Sequence, residues 1–301
     1  AAGEVPIVAV AGYAAGGQVL NDSQQTTVDK FAFPSDSRTT LATGLATARD
    51  NAAGFFNANV AGYVGGGNTS SGTTDSVEKF AFPADSRTTL GTGLSSSRNN
   101  LTGFGNPNVA GYVAGGTFGG SVTTVDKFTF PGDSRSTLAT GLSSARYNLT
   151  GFQNASVAGY AAGGENGGLS TTVDKFAFPS DSRSTLASGL STATAQSAAF
   201  SNNTVAGYVA GGDDGSRTTT VEKFAFPSDS RSTTTSLSAV KRQIAGFFDT
   251  AVAGYVAGGD TASGDISTVE KFAFPSDSPS TTTSLSGNRR QLAAFSNPSN
   301  A

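Results

Sequence analysis

Apolar residues come in short runs along this chain, each closed by glycine, proline, asparagine or aspartate. Residues 60–64 (VAGYV) stop at Gly65, Gly66 and Gly67. Residues 77–82 (VEKFAF) put apolar groups on both faces of an extended strand, because successive side chains alternate. Pro83 and Asp85 then make a hairpin turn, since Pro fixes φ and Asp bonds its own backbone. A polar stretch from Thr88 towards Leu94 follows, and a stretch of small residues ending in Phe (52–55) precedes. Runs of this length between regular turn signals predict β-strands. No stretch keeps a helical period over a helix-length window.

The pattern repeats. VAGY around Tyr13 returns around Tyr63, Tyr112, Tyr160, Tyr208 and Tyr255. A second block, V-[DE]-K-F-x-F-P-x-D-S, carries Lys30, Lys79, Lys127, Lys175, Lys223 and Lys271. A third block sets a leucine four residues before a basic residue: Leu45/Arg49, Leu94/Arg98, Leu142/Arg146, Leu237/Lys241 and Leu285/Arg289. The fourth copy keeps Leu190 but has Thr194 in the basic position.

Six copies of a four-stranded unit, each apolar on both faces, cannot bury themselves singly. A ring gives every sheet two neighbours and leaves only short edges. The expected fold is therefore all-β: a six-bladed β-propeller with four antiparallel strands per blade. Copies start near residues 10, 60, 109, 157, 205 and 252, so residues 10–301 form a single propeller behind a lead-in of residues 1–9. The C-terminal segment 289–300 matches the lead-in to VAGY in the other copies. It is expected to supply the innermost strand of the first blade and close the ring. Residues 5–8 compete for that slot.

Composition narrows the chemistry. The 301 residues include 39 glycines and no Cys, His, Met or Trp. The missing methionine implies a processed chain or a piece of a longer one. Without His or Cys, a Ser-His-Asp triad and the usual zinc sites are excluded. The net charge of −3 shows no basic stripe, so nucleic acid is not an expected partner. The longest apolar runs are too short to span a bilayer. No cofactor or metal is expected.

The blocks resemble kelch repeats: a double glycine (Gly115, Gly116), then V-D-K-F at 125–128, then Leu142 and Arg146, and the match covers all six copies apart from the basic position of the fourth. Where kelch repeats carry a tryptophan, Thr or Leu stands near Leu41, Leu90 and Leu138, and their strand tyrosine is Phe here. The resemblance implies a propeller that serves as a binding scaffold. Its copper radical oxidase branch needs His and a Cys-linked Tyr, which this chain lacks. A looser similarity is to repeats of phage tail or virion proteins and bacterial surface proteins.

Two sets of residues are candidates for function. The segments between the double glycine and the next valine (18–27, 68–76, 117–124, 165–172, 213–220 and 260–268) vary freely and should emerge on one face. Loops on a rigid scaffold carry binding residues, which singles out Phe118, Glu165, Asn166, Asp213, Asp214, Arg217, Asp260 and Asp265. The repeated basic residues Arg49, Arg98, Arg146, Lys241 and Arg289 either bond backbone carbonyls near the axis or form an anion-binding ring. The Asp/Glu–Lys pairs suggest either ion pairs between blades or a ring of charges at one mouth of the channel, and the Asp-Ser-Arg turns suggest capped hairpin tips. Together these predict a non-catalytic binding or structural protein on a virion or cell surface, extracellular, offering loops to a glycan or a protein. The second reading is an intracellular kelch-type scaffold for protein partners.

Overall fold

A computed structural model describes residues 10–298. It contains six four-stranded antiparallel sheets and, among the described residues, no helix. Blade 2 is representative. Its strands are Ala53–Asn57, Ala61–Gly65, Val77–Ala81 and Ser86–Thr89, paired in sequence order. Blades 3 to 6 repeat that order.

Blade 1 is assembled from both ends of the chain. Ala293–Asn297 pairs with Ala11–Ala15 in the register Ala11↔Asn297 and Tyr13↔Phe295. Val28–Ala32 and Ser37–Thr40 complete the sheet. The C-terminal strand thus closes the ring, as its Arg and Phe predict. The competing segment 5–8 lies outside the described residues.

The hydrophobic core is a set of seams between blades. Each blade contributes Phe and Tyr from its two inner strands, which stack on two Phe of the next blade. Phe55 lies 4.7 Å from Tyr63 and 5.4 Å from Phe128, and Tyr63 lies 5.6 Å from Phe130. The same ladder joins blade 6 to blade 1 through Phe247–Phe31 and Tyr255–Phe33. Such ring pairs add about 0.5–1.5 kcal/mol beyond their area.

The glycine before each tyrosine makes room for this ladder. A Cβ on Gly111 would lie 2.0 Å from Cδ2 of Phe55 in the preceding blade. The sequence A-G-Y therefore records a close approach of two sheets rather than a turn.

Each seam is also pinned at its outer turn. The turn aspartate sits in the left-handed region (Asp85, φ 54°) and accepts from the previous blade. Tyr13 Oη donates to Asp85 at 2.8 Å, and Lys30 Nζ reaches the other carboxylate oxygen at 2.6 Å. Lys30 also sits 5.5 Å from the Tyr13 ring centroid. The set recurs at all six seams, including Tyr255 and Lys271 on Asp36. The turns thus do more than cap a hairpin. The strand carboxylates pair elsewhere than with the adjacent lysines, as described next.

Candidate binding face

Strand directions put the variable loops and the blade-to-blade connections on one face. On that face the residue after each repeated basic position pairs with the residue after each double glycine: Asp50 with Asn68, Asn99 with Thr117, Tyr147 with Glu165. The next residue along forms a ring around the axis. It is Asn51, Asn100, Asn148, Gln196, Gln243 and Gln291, a carboxamide in all six copies. Each has a left-handed backbone, with φ between 52° and 59°. Each backbone N–H donates to the carbonyl of the previous member. Asn51 donates to Gln291 at 2.9 Å, Asn100 to Asn51 at 2.9 Å, and the remaining four bonds are 2.8 Å. These six bonds close a circle, so the backbone groups at the mouth are satisfied among themselves. The side chains line the mouth of the channel, a recess of about 70 Å³.

Below the amides lies a collar of Ala52, Leu101, Leu149, Ser197, Ile244 and Leu292. Deeper is a polar chamber of about 110 Å³, lined by the innermost strands. At the far end of these strands a smaller cavity of about 40 Å³ is lined by Phe56, Gln153 and Phe248. Phe56 and Phe248 meet edge to face at 5.8 Å, and Gln153 Oε1 accepts from Gly105 N at 2.8 Å.

Not all amides are equally committed. Asn51 donates to Asp50 at 2.9 Å, Asn100 to Asn99 at 3.0 Å, and Asn148 to Glu165 at 2.7 Å. Oε1 of Gln196 accepts no hydrogen bond. Burial raises the Asp50 carboxyl above its ordinary range. Burial, then the charge of Glu165, raises the Tyr147 phenol.

The loops around the mouth differ from one side to the other. Phe118 is 63% exposed, and Tyr147 stands beside the amide Asn148 on the neighbouring blade. Asn166 is exposed and accepts from Ser121 Oγ at 3.1 Å, joining these two loops. The other side is ionic. Arg242 pairs with Asp213 and, at 3.1 Å, with Asp260; Arg217 holds Asp260 at 2.7 Å. Arg290 holds Asp265 at 2.8 Å and Asp22 at 2.7 Å. Burial alone would raise the Asp213 carboxyl, but bonds from Arg242 and Gly215 N hold it below its ordinary range. Asp260 and Asp265 are buried, so their carboxylates serve the junction between blades. Asp214 accepts from Ser216 within its own loop.

The repeated basic residues are placed inside the blades. Arg98 is fully buried and its Nη1 donates to the carbonyls of Gly115 and Thr124, at 2.7 and 3.2 Å. Its Nη2 reaches Asp126 at 2.5 Å. Arg49 pairs with Glu78, Arg146 with Asp174, Lys241 with Glu270 and Arg289 with Asp29. Backbone carbonyls are partners of the four arginines, while Lys241 bonds only the carboxylate, and the neutralising carboxylate and the burial leave no cationic face for an anion.

The fold and this face define a six-bladed β-propeller with an amide-ringed axial channel. A solved structure entitled "Structure of YjhT" superposes with a TM-score of 0.70 at 15% identity, over 92% of this chain and 98% of that one. That similarity concerns the fold alone. No known protein family matches the chain, and no curated protein matches it either. Among the described residues no cluster of His, Cys, Asp or Glu could hold a metal, and no helix is long and apolar enough to cross a membrane.

Proposed function

We propose that this chain is a non-catalytic binding module that takes a glycan at the amide-ringed face, displayed on a virion or cell surface. The observation that carries this reading is the ring of six carboxamides over a largely apolar collar, on the face that also carries the exposed Phe118 and the Tyr147 next to Asn148 in the chain. A carboxamide offers both donors and acceptors in one plane, which suits the hydroxyls of a sugar. An aromatic ring adds an apolar surface with little entropy to lose. The repeated carboxylates are spent on structural pairs, which supports a role without catalysis. A glycan array with the full chain tests the proposal. Retention of at least one glycan, lost in Asn148→Ala and Tyr147→Ala, is expected. No retained glycan, with a protein partner captured at the same face, would favour the intracellular scaffold instead.

A further inference from the structure

The fourth junction lacks the buried cation that the other five share. Thr194 stands where they carry Arg or Lys, yet the carboxylate it would neutralise is retained. Glu222 is only 4% exposed. It accepts from Ser191 N and Oγ at 3.0 and 2.8 Å, as Asp126 does from Ser95. On its outer side it keeps Arg231 at 3.6 Å, the counterpart of Arg135 beside Asp126 at 3.9 Å. On its inner side the guanidinium is missing. A small cavity remains there, lined by Glu222, Thr220, Gly211, Thr194 and Asp214 among others.

The walls of this cavity are those that bind a cation elsewhere. Gly211 and Thr220 correspond to Gly115 and Thr124, whose carbonyls accept from Arg98. Both are partly used: Gly211 N donates to Thr220 O at 2.8 Å, as Gly115 N does to Thr124 O, and Ser197 Oγ donates to Gly211 O at 2.9 Å. Ser197 itself replaces the Ala, Leu or Ile of the other copies. The acceptors left are fewer than a guanidinium's donors, and the space suits one water-sized species. The sixth blade shows that an ammonium serves in such a pocket, since Lys241 Nζ bonds Glu270.

We infer that the pocket between Thr194 and Glu222 binds a primary ammonium group, either the free ion or the tip of an alkylamine. The ligand would donate to the Glu222 carboxylate and the Thr220 carbonyl, replacing the cation that the repeat otherwise builds in. Burying Glu222 without an inner partner is costly, so occupancy stabilises the blade.

Thermal melting of the full chain tests this in ammonium, methylammonium, tetramethylammonium and sodium chloride at one ionic strength. Ammonium is expected to raise the melting temperature saturably, by about 2 °C or more over sodium. Methylammonium matching ammonium assigns the site to alkylamines, and a response to ammonium alone assigns it to the free ion. Tetramethylammonium, which has no N–H, is expected to behave as sodium. Thr194→Lys supplies its own ammonium, so it should melt above the wild type in sodium and show no further response. Identical melting of the wild type in ammonium and sodium overturns the proposal, as does a Thr194→Lys variant that still responds. A second readout needs no variant. Bound isotope-labelled ammonium should show proton exchange with water slower than the free ion, and its absence at saturating ammonium also overturns the inference.

Discussion

Tyr13 and Asp85 are 72 residues apart in the chain and 2.8 Å apart in space, joining the first blade to the second. Asp85 also holds Lys30, so one carboxylate ties a phenol and an ammonium of the neighbouring blade. Asp85→Ala strands both donors at a part-buried seam and should cost about 1–3 kcal/mol. Tyr13→Phe removes one bond and should cost about 1 kcal/mol. Denaturant unfolding of both variants and their double checks this. The double variant should cost less than the sum, because the two residues share a bond.

The A-G-Y glycine is predicted to be intolerant of any side chain. Gly111→Ala places a methyl 2.0 Å from the Phe55 ring, so a seam must open or the ring must leave its stack. The expected loss is about 1–3 kcal/mol by melting or denaturant. Gly120→Ala, in a loop with nothing within 4 Å of the added carbon, should be nearly neutral.

Arg98→Ala leaves Asp126 buried with its inner partner gone, and should cost about 3–5 kcal/mol. Arg98→Lys should lose much less, since Lys241 fills the same place in another copy. Urea denaturation of the two variants separates charge loss from packing loss.

Stability should fall at both ends of the pH scale. Burial would raise the Asp29 carboxyl, but bonds from Ser286 and Thr40 and the charge of Arg289 hold it below its ordinary value of 3.8. Its contribution is therefore present above that unfolded value and is lost as pH drops through the lower folded one. Asp29 belongs to the closing seam, so acid should loosen blade 1 from the C-terminal strand. Asp29→Asn should flatten the acid limb of melting temperature against pH. At the other end, burial and the neighbouring carboxylates push the phenols of Tyr13, Tyr63, Tyr112, Tyr160, Tyr208 and Tyr255 above 10. Their contribution is complete below that unfolded value and is lost as pH rises towards the folded one. An ultraviolet titration should find these six phenols silent near pH 10 until the protein unfolds.

The aromatic side of the loop face should matter for binding more than the ionic side. Phe118→Ala is expected to weaken glycan binding about tenfold with little change in melting, because Phe118 is exposed. Arg217→Ala should instead lower melting by loosening Asp260, and leave glycan affinity nearly unchanged. Array titration and melting of both variants check the contrast.

Much of this architecture could be read in one dimension. The returning Tyr and Lys blocks set six units, and the Arg and Phe of segment 289–300 named the closing strand. The donors to the turn aspartates could not be read, because Asp85 looks like any hairpin residue until blade 1 is laid against it. The carboxamide ring had a visible signal, an Asn or Gln two residues after every basic position, including the copy with Thr194. It was hidden inside a stretch that otherwise reads as strand. Asn100 and Asn148 of that ring also fit N-x-[ST] by chance in a chain rich in Ser and Thr.

By itself the chain determined the strands, their number and their grouping, because alternation and turn chemistry are local and repeat with the chain. Only the tertiary structure decided which charges were neutralised and which amides met at the axis. Those outcomes depend on groups some 50 residues or a full circuit apart, brought within hydrogen-bonding distance only when the ring closes.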